Sequence, residues 1–213
     1  MKSLTDVIRE RRATPSFDGS PVPAGDLRQI LEAGLHAPSG YNMQPWRFIV
    51  VQSAEQKRKL RAASYNQAKV EEASLVIVAC GDMDGWRKDL DLMIEMGRAG
   101  GMPESYAAQA RSSVSNYMSS FTPDQMKLWL NKQVMLAFTH MLLMAETLGY
   151  DTAPMEGFEQ DQVHEALRLP LSFWAVALLC VGHLKGADKF DGGRFELNHT
   201  VFGEEYGKAL KLK

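Results

Sequence analysis

The sequence predicts an α+β fold, and three observations carry that expectation. Two apolar runs, SLVIVACG (74–81) and FWAVALLCVGH (173–183), read as strands buried on both faces. The segment 123–148 is apolar nearly all round after residue 134, as a helix lying centrally in a core is. Strands and helices do not follow one another in the regular rhythm that a parallel sheet with crossover helices requires.

Hydrophobic spacing places the elements in order. Residues 3–13 form a short amphipathic helix with Leu4, Val7 and Ile8 on one side, and 24–36 a second with Leu27, Ile30, Leu31 and Leu35. WRFIVVQ (46–52) is a strand, and the next helix opens with Ser53 and Gln56 at capping-box spacing. A helix around 67–72 leads into the first buried run. Residues 84–120 give no clear pattern, and GRAGGMP (97–103) interrupts any helix there. The long helix ends at Gly149 as its C-cap. A turn with TAPMEGF, a helix over 159–168 and the second buried run follow. The tail from Leu184 is too punctuated to fold alone and too apolar to stay solvated, so it reads as an extended arm packing on another surface.

The chain has 213 residues, 45% of them hydrophobic, enough for one domain spanning 1–213. Lys plus Arg total 24 against 26 Asp plus Glu, so the basic footprint of nucleic-acid binding is missing and no such partner is expected. Cys80 and Cys180 each sit inside an apolar run and read as small buried hydrophobes. The first residues, MKSLTDVIRERR, are charged where a signal peptide is apolar, and no run of about 18 apolar residues occurs. A cytoplasmic protein with no membrane partner is expected.

Chemistry-bearing motifs are few. His36, His140, His164, His183 and His199 have no ligand-spaced neighbours, so no metal is expected. Nucleophile-elbow, Walker and GxGxxG patterns are absent, and no side chain stands out as a catalytic group. An enzyme of this kind would need an organic cofactor for the hard chemistry. Two segments could hold an anionic one. Arg11 and Arg12 close a helix, where they could grip an anion or complement the helix dipole. The loop HAPSGYNMQPW (36–46) offers Ser39, Gly40, Asn42 and Gln44 as uncharged hydrogen-bonding groups, or is a polar turn.

In order along the chain, four motifs then coincide. Arg11-Arg12-Ala13-Thr14-Pro15-Ser16-Phe17 matches R-[RH]-S-x-[RK]-x-F in part, and Pro38, Ser39, Asn42, Gln44, Pro45 and Trp46 match P-S-x-x-N-x-Q-P-W in full. Asn66 and Lys69 stand three residues apart before a buried strand, and Pro154, Glu156, Gly157 and Phe158 match P-x-[EG]-G-F. Of a C-terminal K-x-R only Arg194 survives. This ordered set resembles the nitroreductase family over nearly the whole chain.

The resemblance implies a three-layer α/β/α sandwich with a central, mostly antiparallel sheet, in an intertwined homodimer that binds FMN at the subunit interface. The arm 184–213 would pack on the partner. Arg11, Arg12 and Arg194 would hold the flavin phosphate, with Ala13 and Pro15 beside them. Pro38, Ser39, Gly40, Asn42 and Gln44 would line the flavin, Ser39, Gly40 and Asn42 from the partner chain. Asn66 and Lys69 would face the pyrimidine edge, and the backbone of Pro154, Met155, Glu156 and Gly157 would approach N5, the atom that accepts hydride. NADH or NADPH would be the donor, and a small acceptor such as a nitroaromatic or quinone would follow it into the same pocket. A variable cover, about 97–122, would lie over the flavin; Tyr106, Tyr117, Met118 and Phe121 are candidates for it or ordinary packing residues. Tyr41, Tyr117 and Phe121 are the candidate acceptor contacts. Ala13, Pro15 and Gly192 depart from the family's usual serine and basic residues. The same fold could also carry a dehydrogenation, a reductive dehalogenation or flavin breakdown, or serve as a flavin carrier or sensor.

Overall fold

Polar caps open the helices where the sequence marks their starts. In the computed structural model, which describes residues 2–187 and 191–212, Ser3 accepts from the Asp6 amide and opens α1 (Leu4–Glu10). Residues 1, 188–190 and 213 lie outside the described residues, so the predicted domain 1–213 and arm 184–213 are seen in part. α1 stops three residues before the predicted end, because Arg11 turns extended (ψ 131°) and the chain then runs beside another strand.

α2 (Ala24–Leu35) and a single 3-10 turn (Gly40–Asn42) precede β1 (Trp46–Val51). Ser53 caps α3 (Ala54–Ala63) by accepting from the Gln56 amide, yet only half the capping box forms. The Gln56 side chain donates instead to the Ala166 carbonyl at 3.1 Å, a tertiary bond that local spacing does not reveal. α4 (Lys69–Glu72) leads into β2 (Leu75–Asp82), every residue of which is buried.

The unreadable middle is helical: α5 (Gly85–Lys88), α6 (Leu90–Ala99) and α7 (Glu104–Ser119). The expected interruption at 97–103 is real, with Gly101 at φ +93°. α8 (Pro123–Thr147) opens with a complete capping box of Thr122 and Gln125, with Pro123 in its first turn. The segment expected as a turn, TAPMEGF, corrects to strand β3 (Asp151–Met155). Pro154 hides this strand in the sequence. It is tolerated because β3 is an edge, hydrogen-bonded on its ladder side only to β4 (Phe173–Gly182). α9 (Gln160–Leu167) lies between them, and α10 (Leu197–Thr200) gives the expected extended arm one helical turn.

Among the described residues the sheet has the order β1-β2-β4-β3, and every pairing is antiparallel. The pleat of β2 divides the core. Leu75, Ile77 and Ala79 pack with Ile30 of α2 and with Val134, Phe138 and Met141 of α8. Val76, Val78 and Cys80 pack with Leu60, Val70 and Val163 of α3, α4 and α9. The result is a helix–sheet–helix sandwich. A third cluster joins α5–α7 to the first half of α8 through Met93, Val114, Met118 and Leu130. α8 is central as expected, but Leu128 and Leu136 stay exposed along one face. No helix among the described residues is long and apolar enough to cross a membrane.

Two predictions follow from this packing. A Cβ at Gly81 would stand 2.8 Å from the Leu130 Cβ, so α8 approaches β2 only because that position is bare. Gly81→Ala should cost about 1–3 kcal/mol, read from the urea midpoint. Burial pushes the Cys80 and Cys180 thiols up to about 12 from an ordinary 9.0, so the folded chain keeps protons that the unfolded chain releases. The cysteine contribution to stability is therefore whole below about pH 9 and is lost as pH rises toward about 12. Denaturant titrations of Cys180→Ala and the parent should show a smaller alkaline loss in the variant.

Candidate functional site

The predicted residues gather in two places. The first is built on the outer edge of β3. Ala13 forms a parallel bridge with Thr152, and the Thr14 amide donates to the Thr152 carbonyl at 2.9 Å. This fixes Arg11, Arg12 and Pro15 beside the strand. Arg12 donates to Asp191 at 3.0 Å, which brings Gly192, Gly193 and Arg194 to the same patch. The hydrogen bond from Arg12 holds the Asp191 carboxyl below its usual range, followed by the bond from the Gly193 amide and then by the Arg12 charge. Arg194 is exposed, its guanidinium bonded to the Gly193 carbonyl at 2.6 Å. The Arg11 Nη1 atom is buried and has no hydrogen-bond partner among the described residues. A buried, unsatisfied guanidinium edge is costly unless something accepts from it.

The turn 65–69 joins this patch from α3. Tyr65 and Asn66 are left-handed (φ 52° and 56°), and the Asn66 amide donates to the Arg61 carbonyl at 3.0 Å. Arg61 itself is paired to Glu71 at 3.0 Å and donates to the Asn66 carbonyl, so the turn is clamped at its base. Tyr65 donates to Glu159 at 2.7 Å, and Gln67 to the Gly157 carbonyl at 3.4 Å. Asn66, Lys69, Pro154, Glu156 and Gly157 are thereby neighbours of one surface. The Met155 side chain is buried, its sulfur 3.7 Å from Cys180 Sγ, so only its backbone reaches that surface. A Cβ at Gly157 would make only ordinary contacts, 3.5 Å from Gln67 and 3.7 Å from Tyr65. Nothing inside the chain demands glycine there.

The second place is the loop 38–44. Three of its residues, Tyr41, Asn42 and Gln44, are left-handed (φ 55°, 55° and 46°), a strained backbone for side chains other than asparagine. Two bonds hold it: Ser39 Oγ accepts from the Gln44 amide at 2.9 Å, and the Gln133 side chain accepts from the Gly40 amide at 2.7 Å. Pro38 is exposed at its start. Tyr41 stands 5.9 Å from Tyr117, and Tyr117 stands 4.8 Å edge-on to Phe121, so the three candidate acceptor contacts form one aromatic row. A cavity of about 300 Å³ lined by Tyr41, Asn42, Met93, Met102 and Tyr106 lies beside it. Met118 is buried in packing, whereas Tyr106 is 58% exposed.

No hydrogen bond, ring contact or cavity among the described residues links the two places. A groove of about 940 Å³ between α3 and α9 is lined by Glu55, Lys59, Glu165 and Arg168, and no predicted site residue touches it. Sequence reading missed Gln133, Asp191 and Glu146. Gln133 lies in the polar run Asn131-Lys132-Gln133 just before the apolar part of its helix and carried no distinguishing signal. Asp191 had none because its partner Arg12 is distant in sequence, and Glu146, which accepts from the Thr152 hydroxyl at 2.6 Å, because that bond crosses from helix to strand.

Known proteins share this fold. A family model described as Nitroreductase family matches residues 8–183. An NADH dehydrogenase of Thermus thermophilus is 36% identical over 174 residues, 82% of this chain and 83% of the relative. The putative NAD(P)H nitroreductase YodC of Bacillus subtilis is 25% identical over 85% of this chain and 90% of its own. A putative nitroreductase from Exiguobacterium sibiricum, solved in complex with FMN, superposes with a TM-score of 0.86 at 27% identity, covering 96% of this chain and 98% of that one.

The strained loop gives a test of its own. Gln133→Leu leaves the Gly40 amide without its acceptor and should cost about 1–3 kcal/mol of stability. Limited proteolysis should show faster cleavage within 38–44 while the sheet stays protected.

Proposed function

This chain belongs to the nitroreductase family, and from that premise we propose that it is a homodimeric FMN-dependent oxidoreductase that takes hydride from NADH or NADPH and reduces a small planar acceptor, a nitroaromatic or a quinone. The observation that carries the cofactor is the buried Arg11 Nη1 with no acceptor, placed beside Arg12 and Arg194. Three guanidinium groups at one strand edge suit a phosphate dianion, which their forked donors meet in pairs. One flavin mononucleotide needs one such cluster, and no second nucleotide motif is present for the adenylate of FAD.

FMN, when bound, supplies the hydride chemistry, accepting at N5 and giving electrons up to the acceptor. The chain's own groups position it. Asn66 and Lys69 would hold the pyrimidine edge, with Lys69 as the cation. The backbone of 154–157 would hold the hydride-accepting side of the flavin, a use for a glycine that intrachain packing does not require. The separation of the two half-sites supports a second copy: the 38–44 loop and the row Tyr41–Tyr117–Phe121 complete the pocket from the partner subunit. Exposed apolar side chains argue the same way. Phe195 is 78% and Leu212 72% exposed on the arm, more surface than a stable monomer leaves in water. Donor and acceptor use the pocket in turn, since neither half offers a separate nicotinamide domain.

The purified protein should be yellow and release FMN on denaturation. FAD in the supernatant, or no flavin after reconstitution, would sink the assignment. Replacing Arg11 or Arg194 with alanine should weaken FMN binding by about 1.5–3 kcal/mol each, measured by fluorescence titration of the apoprotein. Deleting 195–213 should lower dimerisation and flavin binding together in sedimentation experiments. Pro15 and Gly192, standing where cations are expected, favour a carrier or sensor as the second reading. Anaerobic mixing with NADPH or NADH separates the two, since an oxidoreductase bleaches at once and a carrier stays yellow.

A further inference from the structure

One acid beside the arginine cluster has no role in the function described above. Glu146 occupies the last turn of α8, where a carboxylate meets the negative end of the helix dipole and no basic residue offsets it. It is half-buried, and it accepts from the Thr152 hydroxyl at 2.6 Å. Thr152 is the residue whose carbonyl anchors the arginine segment through the Thr14 amide. The charged groups facing Glu146 come from three directions: Lys2 at the chain start, Arg11 after α1, and Asp151 on β3.

These groups differ in how freely they can change charge. Lys2 is committed to Glu10 at 3.0 Å. Asp151 is engaged elsewhere, accepting from the Leu184 amide at 2.7 Å. Arg11 keeps its charge throughout. Glu146 is the group that can yield. Its bond from Thr152 uses one oxygen, so the other can carry a proton without losing that contact. Burial, reinforced by the Asp151 charge, already pushes its carboxyl above the ordinary range, against the pull of Thr152 and Arg11.

We propose that Glu146 makes flavin affinity proton-dependent: a phosphate held by Arg11 brings a second anion to the guanidinium Glu146 faces, and Glu146 becomes more protonated, drawing a fraction of a proton from solvent, as that phosphate binds. The proposal rests on reading Arg11, Arg12 and Arg194 as the phosphate cluster. Its sign is fixed by linkage. Binding raises the carboxyl pKa further, so affinity is greatest while Glu146 is protonated and falls as pH rises through its titration. In Glu146→Gln the amide stands for the protonated acid and still accepts from Thr152.

The test measures FMN dissociation constants for wild-type apoprotein and Glu146→Gln from about pH 5 to about pH 8.5. The flavin phosphate has its own ionisation near about 6, which cancels in the ratio of the two constants. That ratio should climb on the order of ten-fold across the range, the size of a partly screened repulsion between like charges. Riboflavin, which lacks the phosphate, should give a flat ratio. A flat ratio with FMN overturns the role of Glu146 and leaves the FMN reading intact. Failure of wild type to bind FMN removes the phosphate cluster and this proposal together. If Glu146→Gln does not fold, calorimetry of wild type in buffers of different ionisation heat decides. Proton uptake with FMN but not riboflavin, where the phosphate is already a dianion, supports the proposal, and no uptake overturns it.

Discussion

At the outer edge of the sheet, the Thr14 amide donates to the Thr152 carbonyl, while the Thr152 hydroxyl donates to Glu146 at the end of α8. Thr152 is fully buried and also pairs with Val181 in the ladder. One residue therefore joins the sheet, the central helix and the segment carrying Arg11 and Arg12. An edge strand that stayed open would expose a row of unpaired amides. Here the arginine segment covers part of that edge, so blunting the sheet and building the anion cluster are one structural act. The bond also explains the early end of α1: once residue 13 bridges β3, the chain cannot remain helical.

The second constraint is the bareness of β2. Its continuous apolar run needs cover on both faces, and the fold supplies α2 and α8 on one and α3, α4 and α9 on the other. α9 is tied to α3 through the Gln56 bond to Ala166, and the turn after α3 reaches Glu159 through Tyr65 and Gly157 through Gln67. The helix layer that fills the core thus also carries Asn66 and Lys69 to the strand edge. α5–α7 are added outside this sandwich, against the first half of α8. Their buried face carries Met93 and Met118 and meets Met126 of α8, and methionine adapts its shape to irregular neighbours.

The half-sites have different physics. The strand-edge cluster is charged and clamped by ion pairs, and it holds a buried Arg11 Nη1 that no described residue meets. The 38–44 loop is uncharged and backbone-strained, held by Gln133 and by Ser39. Strain of that kind persists where surrounding contacts over-determine the conformation. Each half lacks what the other has, one a phosphate grip and the other an aromatic wall.

The sequence alone determined where most elements begin and which strands are buried, but not every apolar stripe: Leu4, Ile8 and Leu35, expected on the apolar faces of α1 and α2, are exposed. Period and capping are local properties, so 46–52, 74–81, 123–148 and 173–183 were legible to within a residue or two. The ordered motifs also named the family and the candidate residues, since those are statements about spacing. β3 was not legible, because Pro154 is forbidden in a central strand and allowed at an edge, and which strand is the edge is decided only by the order β1-β2-β4-β3. Nor were α5–α7, whose small and polar residues become helical through packing on α8. Tertiary structure alone divided the candidate site in two, brought Asp191 to Arg12, and set Glu146 and Thr152 beside Arg11. Those contacts join residues far apart in the chain, and no local pattern records a pairing that exists only after the chain has folded.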